Sequence, residues 1–257
     1  EDIASLVSYA HLFNAKVYVT INTILFDNEL KATEDLIHKL YAIKVDAIII
    51  QDYGILEMNL PPINIHSSTQ MHNISKERIK FLKDVGFSRV VLARELSIED
   101  IKEIHSYVPD IELEFFVHGA LCNGLSGQCY LSYEITNRSG NRGECSQPCR
   151  SRYDLVNSQG KILVKDKHIL STKDFNASLY IPEMIEAGVR SFKIEGRLKD
   201  LEYVKNVTAH YSKEIDNFIN TGNNKEKYCR SSIGKTEIGF EPDVERSFNR
   251  GFTSFNL

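Results

Sequence analysis

RVVLARELSIEDIKEIHSYVPDIELEFFVHG, residues 89–119, decides the fold. RVVLARE (89–95) and LEFFVHG (113–119) are short runs rich in β-branched and apolar residues. Between them, SIEDIKEIHSY (97–107) opens on Ser97 and repeats its apolar residues at helical spacing. A strand, a Ser-capped helix and a second strand in that order form a βα unit, whose two strands lie parallel because the helix carries the chain back.

The same alternation continues outward on both sides. KVYVTIN (16–22), DAIIIQD (46–52), INIHSSTQ (63–70) and RSFKIEG (190–196) read as further strands. Helices are expected over 1–14, over 28–44, and over 75–86, where Ser75 caps, Glu77 sits in the first turn and Gly86 closes. Another lies over 181–189, with Pro182 in the first turn and Gly188 at the end. A long one over 198–220 places Leu201, Val204, Val207, Tyr211, Ile215 and Phe218 on one face, as core packing requires.

Six strands alternating with helices suit a doubly wound sheet or a (β/α) barrel. Asn22, Gln51, Asp52, His66, Gln70, Arg94, Glu95, His118, Lys193 and Glu195 gather where the runs end. Such clustering suggests the mouth of a barrel, although any one of these residues is equally explained by a strand turning polar as it leaves the core. The expected fold class is therefore α/β, a TIM-barrel-like arrangement short of about two strands at its start. The chain opens at Glu1 inside a helical pattern and reads as a fragment. Residues 1–222 form the expected barrel-like domain, interrupted by an insertion over 120–189; residues 223–257 read as a linker and the start of a further module. Within the insertion, RYDLVNSQGKILVKD (152–166) reads as a hairpin about Ser-Gln-Gly, and HILSTKDF (168–175) as a further short strand.

With 257 residues, 42% hydrophobic and 26% charged, the chain can bury a core without disulfide staples. No apolar run approaches the roughly 18 residues of a membrane span. No secretion signal stands at the start, so a soluble, cytoplasmic and reducing setting is expected, with no membrane partner. The net charge of −4 gives no general attraction to nucleic acid, so RNA binding would need a local basic patch.

Four of the five cysteines fall in HGALCNGLSGQCYLSYEITNRSGNRGECSQPCRSR (118–152), with six, fifteen and three residues between Cys122, Cys129, Cys145 and Cys149. An odd total in a reducing setting fits disulfides poorly. Four thiolates match the donor count of a metal or cluster site. Spacing does not choose between zinc and iron–sulfur: only Cys145 and Cys149 have a usual zinc gap, and the loop departs from the two-residue-gapped ferredoxin run. A Cys122–His118 nucleophile pair leaves three thiols unexplained. No H-E-x-x-H, G-x-S-x-G or acidic dyad supports proteolysis.

Glu114 to Cys122 (EFFVHGALC) and Ser126 to Ser132 (SGQCYLS), followed by RSGNRGECSQPCR, LSTKDF and SFKIEGR, resemble the signature of peptidase family U32, the collagenase-like proteins. The resemblance runs over residues 16–257. NRGEC-QPCR and the terminal FEPDVERSFNRGFT look most like the branch that hydroxylates a cytidine of large-subunit ribosomal RNA; neighbouring branches act on transfer RNA and in ubiquinone synthesis. The resemblance implies a (β/α) barrel and a 4Fe-4S cluster on Cys122, Cys129, Cys145 and Cys149, with zinc as the alternative. Cys229 is left as an ordinary thiol. It also implies ribosomal RNA as partner and prephenate, a small dicarboxylic acid, as co-substrate. His66, Gln70, His118, Glu195 and Arg197 are the expected catalytic residues around the barrel mouth. Arg138, Arg142, Arg150, Arg152 and Lys193 are expected to meet RNA phosphates or the carboxylates of the acid. The alternatives are a collagenase-like peptidase and a non-enzymatic subunit that holds a cluster.

Overall fold

Each expected helix forms where its caps stand. In the computed structural model, which describes residues 2–234 and 236–257, helix α1 covers Asp2–His11 and α2 Leu30–Ala42. Helix α3 (Lys76–Asp84) starts with the Ser75 hydroxyl accepting from the Arg78 amide. Helix α4 (Ile98–Tyr107) opens on a capping box between Ser97 and Asp100, which satisfies two otherwise orphaned amides.

Strands β1 (Tyr18–Ile21), β2 (Ala47–Ile50), β3 (Asn64–Ser67), β4 (Arg89–Val91) and β5 (Glu112–Ala120) pair in that order, all parallel. Helices cover three of the four connections. Between β2 and β3 the chain makes only a 3-10 turn over Tyr53–Glu57, capped by the Asp52 carboxylate. All four residues of β2 are buried, as a strand covered on both faces requires. Ile37, Ile48, Ile50, Ile79, Leu82, Leu92, Ile101, Leu113 and Phe115 are fully enclosed. Each contributes about 1.5–3 kcal/mol on leaving water.

After β5 the chain leaves the sheet for the insertion. It forms the short helix α5 (Leu131–Thr136) and the expected hairpin, β6 (Tyr153–Val156) against β7 (Ile162–Lys167). It returns as β8 (Asp174–Asn176), antiparallel to the end of β5; only the last residues of the segment read as a strand over 168–175 are extended. Helix α6 (Ile181–Glu186) then leads into β9 (Val189–Ile194), parallel to β5, and helix α7 (Leu201–Asn220) follows. The segment after α7, read as a linker and the start of a module, runs back to the sheet, where β10 (Phe252–Thr253) pairs with β8.

The barrel expectation is corrected in one respect. The fold is mixed α/β with a parallel sheet, but among the described residues the sheet is open: β1 pairs only with β2, and β9 only with β5. Six parallel strands fall short of the eight whose tilt and stagger close a ring with a filled interior.

Candidate functional site

Strand β5 delivers the cysteine loop through Gly119. Its φ is +107°, and a Cβ there would stand 2.7 Å from the Glu195 carbonyl oxygen, so only glycine lets β5 pass this close to the end of β9. The loop is then tied to four strand ends. The Glu95 carboxylate after β4 accepts from the Ser126 amide at 2.6 Å and from its hydroxyl at 2.9 Å. Gly127, at φ +73°, lies so near the turn after β3 that a Cβ would sit 1.9 Å from the Gln70 carbonyl oxygen. The Arg142 guanidinium pairs with Glu29 at 2.7 Å, beyond β1, and lies over the Phe26 ring. Arg197, beyond β9, donates to the Gly143 carbonyl at 2.6 Å.

The four thiols meet inside this tether. Cys122 feels Cys129 and Cys149, and Cys149 feels Cys145 and Cys129. Burial pushes both the Cys122 and Cys149 thiols above their usual range, and the neighbouring sulfurs add to the rise. Opposing them are Arg94 beside Cys122 and Arg150 beside Cys149, together with the Gly124 amide donating to the Cys122 sulfur. The Gln147 amide donates to the Cys145 sulfur at 3.3 Å. All five cysteines are free thiols, so no disulfide competes. Among the described residues no three His, Cys, Asp or Glu side chains converge on one metal-sized point; the thiols are neighbours, not a formed cage. The donor set still fits a thiolate-ligated group, because four soft sulfurs come from one loop and amide N–H groups are aimed at two of them. A bound cationic centre would oppose the desolvation, and the smaller effect of neighbouring sulfurs, that now favour the protonated thiols of Cys122 and Cys149.

Arg94, which the sequence marks only as a strand-end residue, is the cation beside Cys122. Its guanidinium stacks 3.7 Å from the centre of the Phe116 ring and pairs with Glu195 at 3.3 Å. Glu195 is thus a support for Arg94, and its other carboxylate oxygen accepts from the Arg197 amide.

The remaining expected residues separate. His66, third of the four residues of β3, is level with Arg89, the first of β4, and has its ring edge-on to Tyr18, the first of β1. Lys193 pairs there with Glu114 at 3.2 Å, and Arg89 bridges Glu114 and Glu112 at 3.1 and 2.6 Å. Burial and then Arg89 bring His66 down to about 4. His118 is 2% exposed and enclosed by Tyr203, Tyr211 and Phe252, with Nδ1 3.2 Å from the Tyr211 hydroxyl. Burial and then His210 bring it, too, to about 4, so it is a neutral packing group out of reach of a substrate. Arg150 donates to the Leu121 and Thr172 carbonyls and so holds the loop's own backbone. Arg152 pairs with Asp166 on the hairpin. Arg138 is exposed and has no ion pair among the described residues. Of the residues expected at the mouth, Gln70, Glu195 and Arg197 therefore stand with the four cysteines, and His66, His118 and Lys193 do not.

Beside the loop opens a cavity of about 900 Å³, lined by Gln147, Arg197, Lys199, Arg246, Phe248 and Arg250 among others. Lys199 and Arg250 lie 4.5 and 4.9 Å from the centre of the Phe248 ring. Residues 240–250 reach it because β10 ties the tail to β8; composition alone carries no sign of that pairing. Among the described residues no helix is long and apolar enough to cross a membrane.

The sequence profile of peptidase family U32 matches residues 1–257. The chain is 50% identical over 255 residues, 99% of its length, to "23S rRNA 5-hydroxycytidine C2501 synthase" of Escherichia coli, and covers 38% of that protein. It is 36% identical to an uncharacterized protease of Methanocaldococcus jannaschii, with 98% of the chain matched to 61% of the relative. Against "tRNA hydroxylation protein P1" of Bacillus subtilis it is 40% identical, with 84% of the chain matched to 53% of that protein. The chain therefore spans between about two fifths and three fifths of the length of these relatives.

Proposed function

Because the chain belongs to peptidase family U32, we propose that the protein hydroxylates a base of RNA, a cytidine of large-subunit ribosomal RNA, with prephenate as the linked acid. The observation that carries this reading is the 50% identity, along 99% of the chain, to a relative named for that reaction. Cys122, Cys129, Cys145 and Cys149 hold a 4Fe-4S cluster, which supplies one-electron chemistry when bound.

The chain's own residues bind and orient. Arg94, fixed by Phe116 and Glu195, and Arg150, fixed by the Leu121 carbonyl, set two cations against the thiolates and offset part of their charge. Of the cations lining the cavity next to the loop, Arg250 pairs with Asp174, Arg246 with Asp243 and Arg197 with the Gly143 carbonyl, so among the described residues Lys199 is the one left to meet a phosphate and position the RNA without reading its sequence. The exposed face of Phe248 gives a base a surface on which to stack. A hydrolytic reading is less well served: among the described residues no histidine is hydrogen-bonded to a serine hydroxyl or a cysteine thiol, as nucleophile activation requires.

The test is complementation of a strain lacking the full-length gene, followed by mass spectrometry of ribosomal RNA nucleosides. Wild type and Cys229→Ala should restore one 5-hydroxycytidine, and Cys122→Ala should not. Anaerobically isolated full-length protein should be brown, with about four irons per chain. Restoration by Cys122→Ala would remove the cluster from the reaction, and unchanged RNA together with cleavage of a peptide would return the family's protease reading. Stoichiometric zinc in a colourless protein would replace the cluster by a structural metal.

A further inference from the structure

A second, smaller cavity, of about 500 Å³, lies at the carboxyl ends of β2 and β3 on the other side of the cysteine loop. Gln51, Gln70, His72, Arg78, Gln128 and Tyr130 contribute to its lining. Gln128 and Tyr130, which flank Cys129 in the chain, bring the cysteine loop to its wall.

Two of these side chains are left with unmet hydrogen-bonding capacity. Gln51 is 8% exposed; its amide nitrogen donates weakly to the Gln70 carbonyl at 3.4 Å, while its Oε1 has no partner. The Arg78 Nε is buried without a partner, and among the described residues no carboxylate reaches its guanidinium. A buried polar atom left unpaired is costly, and structures rarely keep one without a use. Arg78 is also placed against its helix. It stands in the first turn of α3, where the macrodipole favours an anion, yet it carries a cation. The one carboxylate in the lining, Asp52, does not answer it, because its oxygens accept from the Gly54 and Leu25 amides, each at 2.8 Å.

An acceptor and a cation awaiting partners in one cavity specify a ligand with both an anionic group and a hydroxyl or N–H donor. We infer that this cavity binds a small hydroxylated carboxylic acid, its carboxylate on the Arg78 guanidinium and its hydroxyl on Gln51 Oε1. A single unpaired cation in about 500 Å³ suits one carboxylate of a small molecule. A polyanion would call for several unpaired cations together. The inference rests on the functional reading above in taking the acid to be the co-substrate. It moves the acid's site from Arg142 and Arg150 of the cysteine loop, which hold Glu29 and backbone carbonyls, to Arg78.

The test is calorimetric titration of the full-length protein with prephenate, which carries two carboxylates and a ring hydroxyl, and separately with inorganic phosphate and cytidine 5′-monophosphate. Prephenate should bind saturably, with phosphate at least tenfold weaker. Arg78→Gln should weaken prephenate at least tenfold, Gln51→Leu at least threefold, and Arg78→Lys, which keeps the charge, less than Arg78→Gln; equal ligand-free melting temperatures exclude a folding defect. Prephenate binding that is absent, or unchanged in Arg78→Gln, would overturn the inference. So would cytidine monophosphate binding that Arg78→Gln abolishes while prephenate is unaffected, since the cavity would then belong to the RNA. The two readings fail separately: prephenate binding without any RNA hydroxylation overturns only the function, and hydroxylation that survives Arg78→Gln with unaltered prephenate dependence overturns only the site.

Discussion

Replacing Gly127 by alanine should detach the cysteine loop while leaving the sheet intact. Two costs add. The residue sits at φ +73°, where an L side chain loses about 1–2 kcal/mol. The new Cβ would also lie 1.9 Å from the Gln70 carbonyl oxygen, a backbone atom that cannot swing aside, so the loop must lift. Lifting breaks the two bonds from Ser126 to the Glu95 carboxylate, worth about 1.5 kcal/mol each at the low end for charged partners. The opening equilibrium of residues 121–130 should therefore shift by about 4 kcal/mol, roughly a thousandfold. Native-state hydrogen exchange read by mass spectrometry would show this as lost protection of the Ser126 amide. Gly160→Ala is the matched control: its φ of +79° carries the same strain, but nothing lies within 4 Å of its Cβ position. Exchange in residues 121–130 should be unaffected there. Wild-type protection of Ser126 in Gly127→Ala would refute the reasoning.

Two further outcomes follow from buried charge. His66 and His118 titrate near 4 in the folded chain against about 6.5 unfolded, so their neutral forms support folding fully above pH 6.5 and that support is lost as pH falls toward 4. The loss should be roughly 3 kcal/mol per ring, seen as a falling urea midpoint whose slope flattens in His118→Phe. Glu114→Gln should cost about 3 kcal/mol, because it removes the buried carboxylate shared by Arg89 and Lys193, leaving Arg89 only the more exposed Glu112 and Lys193 without its partner. Glu112→Gln, whose side chain is 40% exposed, should cost about 1 kcal/mol or less in the same denaturation series.

What was legible in the sequence was local. Ser75, Ser97, Pro182 and the alternating apolar runs act on neighbours within a turn, so the helices and parallel strands could be placed. The four cysteines share one loop, so their association could be read as well. Closure of the sheet depends on which strands meet across the whole chain, and periodicity is silent on that. The arginines show the same limit. Arg142 and Arg150 look like ligands for phosphate until Glu29, 113 positions away, and the Leu121 carbonyl claim them. His118 lies four residues from Cys122 and seemed poised for chemistry, but Tyr211, from a helix ninety residues on, encloses it. Conversely, Arg78 and Gln51 carried no motif; only the absence of partners in three dimensions marks them.

The excursion between β5 and β9 also sets an order of assembly. Strands β1 to β5 pair at separations of 17 to 29 residues, as between Ile49 and His66 or Thr20 and Ile49, whereas Leu113 must find Val189, 76 positions on. Closing the longer segment costs about 1 kcal/mol more in chain entropy than closing one of some twenty residues. On loop-closure grounds the first five strands are expected to pair before β9 docks. Gly119 meets its backbone neighbour at Glu195, and Arg197 reaches Gly143, only after that late step. Those two fastenings are the ones that wait for β9, whereas the anchors at Glu95, Gln70 and Glu29 stand beside strands already paired.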